Sequence, residues 1–309
     1  MKRMSFSEEI KSELVNLEID EKHFHHEIAG FIKARGKLII SKDGDRLSIV
    51  LSSPYTAHRF RMLMNMEGER SEIFFSTISR LGRKSYMILV QIDDINDFLR
   101  KYGIHLDDPK YLPSMDVEAF RNFMRGMFLS AGSVNDPTKS YSLEISMMEG
   151  GSILDDIAGM LSKMLKINVG TSRSSVRSRL YIKSGKGIVK FLEFIGVVRG
   201  VIKYRSLMEQ RKIKADVLRT VNFISANARR TGISSKKQVD AIRYIDRMVG
   251  IDSLPGDLRE VAILRLKNME LSLRELADKL GLESKSVVQN KMNRILKIAE
   301  KLKKMENPK

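Results

Sequence analysis

Cysteine is absent from this 309-residue chain, which excludes disulfides, thiolate catalysis and cysteine-ligated zinc together. Long apolar runs are missing as well. No stretch approaches the roughly 18 residues needed to cross a bilayer, and the opening MKRMSFSEEIKSEL turns acidic and amphipathic where a secretory signal would turn apolar. These absences point to a cytoplasmic protein with no membrane partner. Acidic residues are scarce in one region only. Residues 1–159 hold 21 basic and 24 acidic side chains, residues 160–218 hold 14 and 3, and residues 219–309 hold 20 and 11. The net charge of +17 is therefore carried by the second half, where a polyanionic partner is expected. A composition of 42% hydrophobic and 30% charged residues is that of a globular protein, long enough for two or three domains of roughly 100–200 residues. Three of the five histidines, His23, His25 and His26, cluster without a matching ligand pattern. They read as exposed residues at a helix start, and no metal site is assigned.

What is present begins with a nine-residue pattern that occurs twice, IAGFIKARG at Ile28–Gly36 and MRGMFLSAG at Met124–Gly132. Its small residues, Ala29 and Gly30 in the first copy, permit close helix approach. Both copies resemble the LAGLIDADG motif of homing endonucleases. That resemblance implies two helices that cross closely, and an acidic residue before each terminal glycine that holds a catalytic divalent metal. Arg35 and Ala131 stand at those positions here. A hard cation needs oxygen ligands, so no catalytic residue, metal or cofactor is assigned and the protein is not expected to be an enzyme.

The element order around the two copies agrees. Helices are predicted at about Ser7–Leu17, Lys22–Ala34 and Pro54–Met66, the last with Ser53 as N-cap and Pro54 in the first turn. A hairpin turns at Asp43-Gly44, strands lie near Glu72–Ser76 and Tyr86–Ile92, and a helix covers Asp94–Tyr102. The series restarts with a helix at Asp116–Ala131, a strand at Tyr141–Ser146, a helix at Ser152–Leu165, a hairpin at Asn168–Lys183 and a helix at Ile188–Ile195. Repeats of this kind, about 20–105 and 114–200, define an α+β domain over 1–205 built from two αββαββα units related by a pseudo-two-fold. A linker helix over 206–222 then leads to an all-α domain over 223–309, with TGISSKK as a loop or helix start.

Two basic surfaces are expected. If the second-half hairpin turns near Ser174 and Ser175, the two-residue period puts Arg177, Arg179, Tyr181 and Lys183 on one face and Leu180 and Ile182 on the other. Arg173 extends the cationic side. The corresponding first-half hairpin carries Ser41, Asp43, Asp45 and Ser48, which repels phosphate. Ser184-Gly185-Lys186-Gly187 lacks Walker spacing and reads as a hairpin-to-helix turn. The acidic pairs Asp93-Asp94, Asp107-Asp108 and Asp155-Asp156 suit helix starts.

The second surface is a helix-turn-helix at about 271–304. Ser272 and Glu275 form a capping box, Gly281 supplies the turn, Ala277 sits at the helix approach, and Leu276, Leu280, Leu282, Val287 and Ile295 are spaced as a shared core. The recognition helix, about Lys285–Lys297, then presents Lys285, Ser286, Gln289, Asn290, Asn293 and Arg294. Gln and Asn can pair with adenine and Arg with guanine, while Lys and Ser hold phosphates.

With SFSEEIKSEL at 5–14, FLSAGSVNDPTKSYSLEI at 128–145, the stretch through Arg219, Asn222, Ala226 and Asn227, and the terminal helix-turn-helix, the chain resembles the bacterial WhiA family. The resemblance implies a non-cleaving, nucleoid-associated regulator that binds double-stranded DNA and serves cell division, chromosome segregation and, in relatives, sporulation, with other regulatory proteins as further partners. Two readings of other classes stand beside it, an active metal-dependent endonuclease and a non-specific nucleoid- or RNA-associated basic protein. Neither oligomeric state nor DNA target is legible; a monomer suffices.

Overall fold

A computed structural model describes residues 4–78, 83–105, 112–147, 153–174 and 177–306. Ser175 and the Asp107-Asp108 pair lie outside these residues. The chain divides into two compact units, Met1–Lys212 and Ile213–Lys309, each with its own buried apolar cluster.

In the first unit a short helix α1 (Phe6–Leu14), capped by a reciprocal Ser5–Glu8 box, precedes two equivalent series. The first runs α2 (Phe24–Arg35), β1 (Gly36–Ile39), β2 (Asp45–Leu51), α3 (Pro54–Met66), β3 (Ser71–Ile78), β4 (Arg83–Ile92) and α4 (Ile95–Lys101). The second runs α5 (Val117–Ala131), β5 (Gly132–Val134), β6 (Leu143–Met147), α6 (Ile153–Leu165), β7 (Gly170–Arg173), β8 (Ser178–Ile182) and α7 (Gly185–Phe194). Their sheets have the same antiparallel order, β1-β2-β4-β3 and β5-β6-β8-β7. The repeated αββαββα unit is thus present twice.

The two motif helices sit at the centre of this unit. From Asn122 to Ala131 every residue of α5 is buried, the pattern of a helix enclosed on all sides. Close packing against α2 depends on glycine. A Cβ on Gly30 would lie 2.0 Å from the Phe123 carbonyl oxygen, and one on Gly126 would lie 2.0 Å from that of Glu27. Near the crossing, the buried Glu27 carboxylate takes a two-pronged bond from Arg59, at 2.6 and 2.9 Å. Arg125 lies 3.5 Å from the Oε2 that Arg59 also engages. Arg59 also donates to the carbonyls of Val15 and Leu17, so its buried charge is satisfied on every side.

Several local expectations hold, one of them with a different bonding pattern. Ser53 occupies the N-cap position of α3 without a side-chain cap bond; its carbonyl instead accepts from the Thr56 hydroxyl at 3.0 Å. Among the acidic pairs, Asp94 is the N-cap of α4, while Asp155 lies in the first turn of α6. The Ser184 segment is a helix start, its hydroxyl accepting from Gly187 N–H at 3.0 Å.

Helix α8 (Arg199–Val249) begins in the first unit and ends in the second. Its first turn is capped from a distance: the Glu13 carboxylate accepts from the N–H groups of Val198, Arg199 and Gly200, where an acid suits the helix N-terminus. TGISSKK is neither a loop nor a start, because it lies inside α8. Ser235 is buried there and its hydroxyl donates to the Met269 carbonyl, so a residue that looks like a breaker is used as an inward tether.

The second unit continues with a 3-10 turn (Ile251–Ser253), α9 (Gly256–Lys267), α10 (Leu273–Lys279) and α11 (Lys285–Glu306). Leu258, Val261, Ala262, Leu276, Ala277, Val288, Met292 and Ile295 are its centre, with Ile242 and Ile245 from the end of α8. Arg265, also buried, donates to the Leu271 carbonyl at 2.6 Å and pins the α9–α10 connection.

Candidate nucleic-acid interface

Helix α10 starts with the reciprocal Ser272–Glu275 capping box. It ends at Leu280, after which Gly281 adopts φ +64°, a left-handed conformation that glycine takes without strain. Leu282 N–H then returns to the Ala277 carbonyl at 2.9 Å. This short reversal sets α11 across α10, the arrangement of a helix-turn-helix.

The buried series on α11 is Val288, Met292, Ile295 and Ala299, spaced i, i+4, i+7, i+11. Val287 was expected in the core. It is only partly buried and Val288 takes its place, since the helix phase fixed by the later residues turns Val287 to the seam. Leu276 and Ile295 are fully buried, with Leu280 and Leu282 packed at the edge.

On the opposite face Lys285, Ser286, Asn290, Asn293 and Arg294 are exposed, and Gln289 is half-buried at the flank. Three of these are engaged. Arg294 lies 3.2 Å from Asp257 and shares it with Lys291 at 3.0 Å. The Gln289 amide donates to the Asn293 side chain at 3.1 Å. The hydrogen bond from Lys291, then the charges of Lys291 and Arg294, hold the Asp257 carboxyl below its ordinary range. Lys297, exposed on the same face one turn further on, was not singled out from sequence, although the i, i+4 step from Asn293 would have found it.

The hairpin in the first unit alternates cleanly. Ser178, Leu180 and Ile182 are buried and Arg179 is exposed. Arg177 and Lys183, on either side of the strand, are exposed too. The neighbouring strand modifies this surface in a way the hairpin's own sequence does not reveal. Glu144 of β6 pairs in register with Tyr181. It lies 2.9 Å from Lys183 and 3.7 Å from Arg179, and the hydrogen bond from Lys183 lowers its pKa. Arg173 is paired with Asp155, whose other oxygen accepts from Thr171. Of the four cations expected on this surface, Arg177 alone has no ion pair among the described residues.

At the ends of the motif helices, Arg35 closes α2 and Ala131 closes α5. A third side chain joins them from α1. Lys11 Nζ donates to the Leu129 carbonyl at 2.9 Å, using an acceptor that a helix end leaves unpaired. Burial, then the nearby Arg35, push the Lys11 pKa down to about 8, against a smaller raising effect of Glu8. Burial and then Arg177 lower that of Arg35. Sequence gave no signal for Lys11, whose partner lies 118 residues away. At the other end of α2 the histidines are half-buried, correcting the exposed reading. His23 pairs with Asp20 at 2.8 Å, and burial, then His25, drive the His26 pKa down to about 4. Among the described residues no cluster of three or more His, Asp or Glu could hold a metal, and no helix is long and apolar enough to cross a membrane.

Paired αββαββα repeats around glycine-packed helices, with a terminal trihelical unit, define a LAGLIDADG-type domain joined to a helix-turn-helix domain. The chain is 38% identical over 305 residues to the probable cell division protein WhiA of Thermotoga maritima, covering 97% of each. It belongs to the WhiA family. The family model described as the WhiA C-terminal HTH domain matches residues 217–299, and that of the WhiA LAGLIDADG-like domain matches 120–217, the second repeat. The probable cell division protein WhiA of Staphylococcus carnosus is 30% identical, covering 98% of this chain and 99% of its own length. Two crystal structures are similar. Full-length DUF199/WhiA from Thermotoga maritima gives a TM-score of 0.60 at 38% identity, covering 96% of this chain and 99% of that one. The N-terminal LAGLIDADG domain of DUF199/WhiA gives 0.54 at 33% identity, covering 64% and 93%.

Proposed function

We propose that this protein is a non-catalytic regulator of cell division that binds double-stranded DNA through α11. The observation that carries the reading is the exposed N-terminal face of α11, where Lys285, Ser286, Asn290, Asn293 and Arg294 stand clear of the core in a net basic unit. These side chains supply base-edge donors and acceptors and phosphate contacts, with Gln289 at the flank. Arg173, Arg177, Arg179 and Lys183 add auxiliary phosphate contact from the first unit, in part by exchanging their carboxylate partners for phosphate. Cell division enters through the names of the relatives; roles in chromosome segregation and, among relatives, sporulation complete the proposal. Arg35 and Ala131 in the motif-end positions support the absence of nuclease activity. DNA binding of this kind places the protein at the nucleoid in the cytoplasm.

Replacing Gln289, Asn290 and Arg294 by alanine should abolish promoter-specific binding in a gel-shift titration while weak, salt-sensitive binding persists. Retained specificity sinks the assignment. Metal-dependent nicking of plasmid with Mg2+ or Mn2+ would favour the nuclease reading, and binding that tracks salt with no preference among duplexes would favour the non-specific one.

A further inference from the structure

Side chains of α7 and α8 line an open cleft of about 590 Å³ in the first unit, within the size range of small-molecule sites. Each helix turns one face to it by the three- and four-residue steps of an α-helix. Lys186, Val189 and Lys190 come from α7, and Arg205, Met208, Glu209 and Lys212 from α8. Tyr141 completes the lining from the segment before β6. Glycine sets how near the two helices come: a Cβ on Gly185 would stand 2.5 Å from the terminal methyl of Met208.

Floor and rim differ in character. Val189 is buried and Tyr141 and Met208 are half-buried, whereas the four cations and Glu209 are exposed. The Tyr141 ring is set in advance, because the Arg211 guanidinium lies 4.6 Å from its centre and donates to the Pro137 carbonyl at 3.0 Å. A tyrosine ring and a thioether side by side favour a planar aromatic ligand.

The rim favours an anion. Four cations line the cleft against Glu209, and Arg205 is paired with Glu193 at 2.6 Å, which leaves a surplus of two positive charges. A phosphate monoester, with about −1.5 to −2 at neutral pH, is its complement. Lys190 spends one N–H on the Leu165 carbonyl at 3.0 Å and keeps two. Lys186 and Lys212 have no hydrogen bond or ion pair among the described residues. Lys186 also breaks a local rule. It is the second residue of α7, whose first turn holds no acid, and a cation at that end opposes the helix dipole unless an anion offsets it.

We propose that this cleft binds a nucleoside monophosphate, with the base on Tyr141, Val189 and Met208 and the phosphate among the rim lysines. The apolar floor argues for this occupant over a DNA strand. A duplex presents phosphates outward and keeps its bases stacked inside, so it would leave the floor uncovered. The site goes beyond the DNA-binding reading and stands without it.

The test is isothermal titration calorimetry of the full chain with AMP, GMP, CMP and UMP. At least one should bind at one per chain, with its nucleoside and inorganic phosphate each weaker by roughly tenfold or more, the worth of one charge-assisted contact. The double variant Lys186→Met, Lys212→Met should lose about the same factor, whereas Lys186→Arg should retain affinity. Both lysines are exposed, so an unchanged melting curve is the control for folding. Absence of binding by all four nucleotides overturns the site, as does equal affinity in the double variant. Inorganic phosphate that binds as tightly as the nucleotide overturns the base contact. A double variant that lowers the salt slope of duplex binding by about 0.9 for each lysine, in a chain that binds no nucleotide, overturns the proposal in favour of a DNA strand.

Discussion

Gly30 and Gly126 are each pressed against the backbone of the other's helix at the residue one turn earlier. A Cβ on either would stand 2.0 Å from a carbonyl oxygen, of Phe123 in one case and Glu27 in the other. The reciprocity follows from the repeat, since the glycines hold the same place in the two copies of the motif. Backbone is what they meet, so no side chain can swing aside to make room.

Gly30→Ala and Gly126→Ala should therefore each destabilise the first unit by about 3 kcal/mol or more, at the upper end of overpacking costs. Gly159, on an exposed position of α6 with nothing within 4 Å of its built Cβ, is the control. Gly159→Ala should stabilise by roughly 0.5–1 kcal/mol. Urea titrations of the three variants check the contrast, and tolerance of alanine at Gly30 would contradict the packing.

Glu27 and Arg59 form the second dependence on burial. Glu27→Gln leaves two guanidinium groups with a neutral partner in the interior, and a loss of about 3–5 kcal/mol is expected. Replacing Glu27 and Arg59 together by methionine should recover much of that loss. A double-mutant cycle by chemical denaturation reads the coupling, and additive single effects would show that the pair is not a unit.

Asp257 restrains Lys291 and Arg294 on the helix proposed to read DNA. Asp257→Asn should release both cations, tighten binding to an arbitrary duplex and steepen its salt dependence by about 0.9 for each new phosphate contact. Anisotropy titrations at two salt concentrations measure it. Unchanged affinity would mean that the acid does not compete with phosphate.

Acid should weaken the first unit through His26. Its folded pKa is depressed from 6.5 to about 4 by burial, then by His25 and His23, against Asp116. The unfolded chain takes up a proton at His26 near pH 6.5 while the folded chain does not, so stability is lost as pH falls from about 6.5 towards 4 and changes no further from this group below that range. His25, also depressed mainly by burial, acts in the same direction. His26→Gln should narrow the difference in melting temperature between neutral pH and pH 5; an unchanged difference would remove His26 as a cause.

Much of this arrangement is legible in sequence because it is local or repeated. The Ser272–Glu275 capping box and the helix bounds of α3 follow from neighbouring residues, and the twin nonapeptides announce the crossed helices. What escapes is set across the sheet or between distant segments. Glu144 meets Lys183 only because β6 lies beside β8, and Lys11 reaches Leu129 only after α1 packs on α5. Val287 was misplaced by one residue because a short apolar run leaves helix phase open until Met292 and Ala299 are counted. TGISSKK looks like a break, yet Ser235 finds an acceptor in Met269 that only the folded second unit supplies.

Helix α8 has one property that bears on every measurement above. From Lys212 to Arg230 each of its residues is exposed, while its two ends enter separate apolar clusters. Heat or denaturant can then empty one cluster before the other, and a single all-or-none transition is not the expectation for such a chain. Substitutions at Gly30, Glu27 and His26 should move one step of a biphasic melt. Arg265→Ala should move the other, which makes the shape of the unfolding curve, rather than its midpoint, the quantity that tells the two units apart.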